Sequence, residues 1–237
     1  MSTSNLKSQF SNLKSYAIIV AGGFGTRMQA AVPKQFLLLG GKPVLMHTVE
    51  AFHNSAAQPQ IIIVLHPGFH SYWEQLCNEY NFTIPHQLVN GGETRFQSVK
   101  NGLDTISNDK DALIAVQDAV RPLTSKQIID RSYQHAAEYG NAVTAVKSRD
   151  SVRQLKNGVS ASLLRNEIYL IQTPQTFKAS QIKKAYLQPY NDKFTDDASV
   201  VEETGIKINL VEGSYNNIKI TFPEDITIAE LLLVHGR

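Results

Sequence analysis

The sequence has one cysteine, Cys77, among 237 residues. No internal disulfide can form, and a reducing, cytoplasmic setting is expected. Cys77 stands in a helical pattern with Tyr72, Leu76 and Tyr80. A structural thiol packed against a core is the expected role. No apolar run approaches the roughly 20 residues that a membrane helix needs, so no membrane partner is expected. Neither charge is in excess: 23 Lys and Arg stand against 21 Asp and Glu, a net +2. That balance provides no basic surface, and no nucleic-acid partner is expected. Two glycine signatures are also missing. G-x-G-x-x-G fails because Met28 occupies the third glycine position counted from Gly23 and Gly25, and no G-K-[ST] opens a helix.

Acid is missing from the first fourteen residues, MSTSNLKSQFSNLK. They lack the apolar stretch of a secretory signal, and a transit peptide would be longer and carry arginine. A flexible tail over 1–14 is expected, followed by one domain over 15–237. A composition 42% hydrophobic suffices to bury one good core.

What is there is alternation. Ala17–Ala21, Ile61–Leu65, Ala112–Val116 and Ala142–Val146 are short, continuous apolar runs, as strands buried on both faces are. Helical patterns over Val44–Phe52, Phe69–Tyr80, Thr94–Ile106 and Ser125–Glu138 lie between or beside them. The repetition predicts an α/β, Rossmann-like, mainly parallel sheet flanked by helices. Ligands of such sheets bind beyond the carboxyl ends of the strands. After Val146 the pattern changes. Lys147–Ser162 alternates charged with small and β-branched residues around Asn157-Gly158, which predicts a protruding β-arm, about 147–163. A second subunit is the economical way to bury its face. Pro223-Glu224-Asp225 predicts the start of a last helix, with Pro at its first position.

The stretch Ala21–Gln35, AGGFGTRMQAAVPKQ, follows the first strand. Glycines let backbone N–H groups approach phosphate oxygens, Arg27 can fork onto them, and Lys34 adds a point charge. The bland alternative is a glycine turn with solvated cations. Asp118 ends the third strand and is a plausible Mg²⁺ ligand, since Mg²⁺ takes one or two carboxylates plus phosphate oxygens. A helix cap or a structural ion pair would also account for it. Asp196 or Asp197 could simply cap a helix.

AGGFGTRM…PKQF, GGETRFQSV, DAVRP, RNEIYLIQTPQTF, TDDASVVE and LVEGSYNNIKIT occur in this order. Together they resemble the 2-C-methyl-D-erythritol 4-phosphate cytidylyltransferases of isoprenoid synthesis, from Tyr16 to about Leu233. The resemblance implies a nucleotidyltransferase fold and a homodimer built by the arm. It implies CTP and a polyol phosphate as substrates, with Mg²⁺ as cofactor. By position, Arg27 and Lys34 match transition-state stabilisers, and Arg165 and Lys219 the pair that positions the acceptor. Ala21, Gly22, Gly23 and Gly25 match the loop that holds base and triphosphate. Gly92, Glu93 and Ser98 match positions that meet the cytidine, and Ala119 lies by the ribose. Asp118 matches the metal ligand. Arg121, Ser151, Thr173 and Thr195 match the rest of the acceptor pocket, with Ser151 reaching a neighbouring subunit.

Three positions depart from the family pattern. Val120 replaces a more usual alanine, Glu93 a shorter acid, and Ser151 a threonine. Asp-Ala-Val-Arg-Pro also occurs in relatives that cytidylylate ribitol 5-phosphate, so that acceptor is the alternative. A non-catalytic nucleotide sensor is the remote one, and it predicts losses among Arg27, Lys34, Asp118 and Lys219. All four are present.

Overall fold

The structure, a computed structural model, describes residues 13–22, 32–106 and 109–235. The expected tail up to residue 12 lies outside them, as do Gly23, Gly25 and Arg27. In chain order the strands are β1 (Ser15–Ala21), β2 (Leu38–Leu39), β3 (Lys42–Pro43), β4 (Gln60–Leu65), β5 (Gln87–Asn90) and β6 (Leu113–Asp118). They continue as β7 (Asn141–Lys147), β8 (Arg153–Lys156), β9 (Val159–Ser162), β10 (Tyr169–Lys178) and β11 (Leu210–Glu212). The helices are α1 (Val44–His53), α2 (His70–Glu79), α3 (Arg95–Asp104), α4 (Lys126–Tyr139), α5 (Ala179–Ala185), α6 (Asp197–Glu202) and α7 (Glu224–His235).

Seven strands form one sheet in the order β11-β7-β10-β6-β1-β4-β5. The pairs β1–β4, β1–β6, β4–β5 and β7–β11 are parallel, and β10 runs antiparallel to both β6 and β7. The four strands legible as apolar runs are β1, β4, β6 and β7, and each is buried on both faces. Alternation in β1 shows how. Ala17, Ile19 and Ala21 point into one core, built with Val49 and Phe52 of α1, Trp73 of α2 and Tyr133 of α4. Tyr16 and Ile18 point into the other, with Val99 of α3, Ile182 of α5 and Val201 of α6. Cys77 is half-buried beside the first core, and burial pushes its thiol up to about 11. Among the described residues no helix is long and apolar enough to cross a membrane.

The four expected helices are present with ends shifted by a residue or two. Phe69 instead belongs to a 3-10 turn, Pro67–Phe69, ahead of α2. α7 begins one residue after Pro223, because the Asp225 carboxylate accepts N–H from Thr221 and Phe222 at 2.7 and 2.8 Å and holds the chain in a turn there. The arm is narrower than expected. Lys147 stays in the sheet, paired with Tyr169, and the hairpin consists of β8 and β9. Asn157 and Gly158 have φ of 51° and 78°, the left-handed pair that a two-residue hairpin turn requires.

Candidate active site

Parallel strands align their carboxyl ends, so Ala21 of β1 and Asp118 of β6 emerge at the same edge. There a cavity of about 200 Å³ is lined by Gly22, Lys34, Glu93, Arg95, Asp118 and Lys219, among others. Wider grooves of about 620 and 700 Å³ lie against α5 and against β11. Neither carries a carboxylate at the end of an internal strand, and chemistry rather than size singles out the smaller cavity.

Each wall has a local cause. Lys34 opens a 3-10 turn, Lys34–Phe36, whose buried Gln35 donates Nε2–H to Ala21 O at 2.9 Å. That bond ties the cation's backbone to the end of β1. On the opposite wall Thr94 and Gln97 form a capping box: Gln97 N–H donates to Thr94 Oγ1 and Thr94 N–H to Gln97 Oε1, both at 3.1 Å. The box starts α3 at Arg95. Ser98, one turn in, accepts N–H from Gly92 at 3.0 Å and donates to Thr94 O at 2.9 Å. Gly92 is required by close approach, because a Cβ there would lie 2.5 Å from Gln97 Cβ.

Asp118 is the centre of charge. Its Oδ2 lies 3.0 Å from Lys219 Nζ and 3.2 Å from Arg121 Nε, and its Oδ1 lies 3.9 Å from Arg95 Nε. Burial alone would raise this carboxyl. Lys219, Arg95 and Arg121 outweigh burial and hold it at about 2. Asp118 N–H donates to Thr173 Oγ1 at 3.0 Å, so Thr173 supports the aspartate from the buried side. The Lys219 segment is pinned on both sides. Ile220 N–H donates to Val120 O at 2.9 Å, and Asn217 is wholly buried. Asn217 Nδ2 donates to Thr173 O at 2.9 Å, its Oδ1 accepts the Thr124 hydroxyl at 2.8 Å, and its carbonyl accepts Arg121 Nη1–H at 2.8 Å.

The donor set suits a divalent cation that arrives with a polyphosphate. Among the described residues no group of three or more His, Cys, Asp or Glu could hold a metal by itself. Mg²⁺ in phosphate sites needs only one or two carboxylates, and Asp118, ionised at neutral pH, could provide one.

These geometries stand alongside sequence relationships that point the same way. Residues 15–235 match the family model for 2-C-methyl-D-erythritol 4-phosphate cytidylyltransferase. The chain belongs to that family. The cytidylyltransferase of Azobacteroides pseudotrichonymphae is 47% identical over 219 residues, 92% of this chain and 98% of its own. That of Bacteroides thetaiotaomicron is 46% identical over 221 residues, 93% of this chain and 100% of its own. The crystal structure of 4-diphosphocytidyl-2C-methyl-D-erythritol synthase from Anaerococcus prevotii superposes with a TM-score of 0.81 at 27% identity, covering 96% and 99% of the two chains.

Within this cytidylyltransferase chain, the fold brings together Ala21, Gly22, Lys34, Gly92, Glu93, Ser98, Asp118, Ala119 and Lys219 at one cavity. Arg121 and Thr173 are buried against Asp118. Ser151, Arg165 and Thr195 are exposed and do not line the cavity. Ser151 and Arg165 flank the β8–β9 hairpin, and Thr195 precedes α6. Asp196 caps α6, accepting Ser199 N–H at 2.8 Å, as one of the two readings of that aspartate pair had it. The sequence offers no reading of Arg95, and of Asp197 only that of a cap, which Asp196 takes instead. Arg95 forks onto Asp197, Nη1 to Oδ1 at 2.9 Å and Nη2 to Oδ2 at 2.6 Å. Burial opposes the charge of Arg95, but Asp197 more than compensates and raises its pKa above the ordinary value. A cation inside GGETRFQSV was the available signal.

Proposed function

We propose that the chain transfers CMP from CTP to the phosphate of 2-C-methyl-D-erythritol 4-phosphate, releasing pyrophosphate. The observation that carries this reading is Asp118 at the carboxyl edge of the sheet, with Lys219, Arg121 and Arg95 around it and Lys34 in the same cavity. The family relationship supplies the acceptor.

The chemistry asks for charge management rather than a base. The acceptor's phosphate has a second pKa near 6, so its oxygen is already a nucleophile at neutral pH. That oxygen forms a bond to the α-phosphorus of CTP while the bond to the β-phosphate oxygen breaks, and the electron pair leaves with pyrophosphate. Negative charge moves toward the β-phosphate, where fixed cations reduce the barrier. Lys34, and Arg27 from the same loop, are assigned to those oxygens. Lys219, beside Asp118 in the cavity, and Arg165, next to the hairpin, are assigned to the acceptor phosphate, and Arg121 to the rest of that pocket. Asp118 would hold Mg²⁺, which when bound neutralises and orients the triphosphate. Gly92, Glu93 and Ser98 are assigned to the cytidine, and Ala119 to the ribose.

The assembly we infer is a homodimer. Every residue of β8 and β9 is exposed, with Leu155 at 73% and Val159 at 70%. An isolated two-stranded hairpin is marginal in water, and a second subunit would cover it and bring Ser151 and Arg165 to a neighbouring cavity. A single cysteine supports a cytoplasmic setting.

Pyrophosphate release with CTP and MgCl₂, offering methylerythritol 4-phosphate and ribitol 5-phosphate in parallel, tests the reading. Release with the first acceptor is expected. Release only with the second would keep the mechanism and replace the acceptor. CTP binding without release for either would leave a nucleotide sensor.

A further inference from the structure

The two oxygens of Asp118 are treated differently. Oδ2 takes both Lys219 at 3.0 Å and Arg121 at 3.2 Å. Oδ1 faces Arg95 Nε at 3.9 Å, close enough to attract and too far for a hydrogen bond. The distance is not an accident of a loose side chain. Both terminal nitrogens of Arg95 are committed to Asp197, which is wholly buried and accepts the Tyr186 hydroxyl at 2.6 Å as well. A guanidinium released from that fork would have a second carboxylate beside it. Planar guanidinium groups cap carboxylates with two parallel bonds, and such a cap on Asp118 would cover Oδ1.

We propose that Asp197 holds Arg95 back, so that Oδ1 of Asp118 stays open to the divalent cation that accompanies the nucleotide. Arg95 and Asp197 are positioning residues in this account: they act through Asp118. The inference rests on the reading of Asp118 as the metal ligand. It explains why a fully buried aspartate is kept 102 residues along the chain from its arginine. It also explains why the third cation near Asp118 stops short of contact while the other two make it.

The test is calorimetric titration of the whole protein with CTP, with and without MgCl₂ and with no acceptor present. The quantity read is the ratio of the two CTP affinities. Asp197→Asn keeps the shape of the side chain and removes its charge. It is expected to lower the ratio about tenfold, the scale of one charge-assisted interaction between Asp118 and the metal. Asp197→Asn combined with Arg95→Gln removes the potential cap and is expected to return the ratio to within about a factor of three of the parent. A pair that only stabilises the fold would weaken CTP binding equally with and without MgCl₂. An unchanged ratio in Asp197→Asn would therefore overturn the proposal. Where Asp197→Asn alone does not fold, the double variant decides, since it leaves no unpaired buried charge: a collapsed ratio there overturns the proposal too. Asp118→Asn separates this failure from that of the underlying reading. If its ratio equals the parent's, Asp118 is not the ligand, and it is that reading which falls.

Discussion

Arg121 donates Nη1–H to the carbonyl of Asn217 at 2.8 Å, while its Nε holds Asp118 at 3.2 Å. One side chain thus joins the Asp118 carboxylate to the backbone two residues before Lys219. Asn217→Ala removes the hydrogen bonds to Thr173, Thr124 and Gln172 and strands buried partners. A loss of roughly 2–4 kcal/mol in urea unfolding is expected. Turnover of the folded fraction should also fall, because the Lys219 segment loses one of its two anchors and keeps the Ile220 bond to Val120. Parent-like turnover in folded Asn217→Ala would show that the Lys219 segment holds its place without it.

Lys34→Ala is expected to reduce kcat at least about a hundredfold, the cost of one donor aimed at developing charge. CTP affinity should change much less, since the effect belongs to the transition state. Steady-state kinetics with both substrates varied separates the two. Parent-like kcat would remove Lys34 from its assigned role.

The carboxyl of Asp118, held at about 2, sets a pH window. An unfolded aspartate titrates near 3.9. The folded value is lower, so the unfolded state binds the proton first, and the contribution of Asp118 to stability is complete above about pH 4. It is lost as pH falls through about 2. The stability difference between the parent and Asp118→Asn should be constant from pH 8 to 5 and shrink below pH 4. A difference that shrinks between pH 7 and 5 would mean that the three cations do not act on Asp118 as the distances imply.

Leu155→Glu with Val159→Glu places charge on the exposed face of the arm. If the parent is the dimer inferred, a shift toward monomer is expected by analytical ultracentrifugation, with little change in Tm of the monomer. The Michaelis constant for the acceptor should rise more than that for CTP, as Arg165→Ala should also cause. A parent that is monomeric at all concentrations would end the dimer reading.

The strands β1, β4, β6 and β7 were legible because strands covered on both faces are written as unbroken apolar runs. The hairpin turn was legible because Asn157-Gly158 has few other uses. β10 was not legible. Gln172, Thr173, Gln175 and Thr176 are all buried in it, and Pro174 lies at the register shift between Ile171 and Gln175. Gln175 is buried because Asp196 and the Ala198 N–H satisfy it from 21 and 23 residues away. Hydrophobic periodicity cannot register burial that depends on distant hydrogen bonds. The site divides the same way. Asp118, Lys34 and Lys219, which line one cavity, stand in short motifs at strand ends and in loops. The Arg95–Asp197 fork joins two motifs, and no local pattern links them.

The reversed direction of β10 has an engineering consequence. Neighbouring antiparallel strands need only a hairpin between them, so whatever joins β7 to β10 can grow or shrink without altering the order of the sheet. Here that junction carries the β8–β9 hairpin with Ser151 and Arg165 beside it, whereas the Lys34, Gly92 and Asp118 walls belong to other connections. The junction is a natural grafting point. If Ser151 and Arg165 act on the acceptor as proposed, exchanging the junction between relatives is expected to change the Michaelis constant of the acceptor and to leave that of CTP as it was.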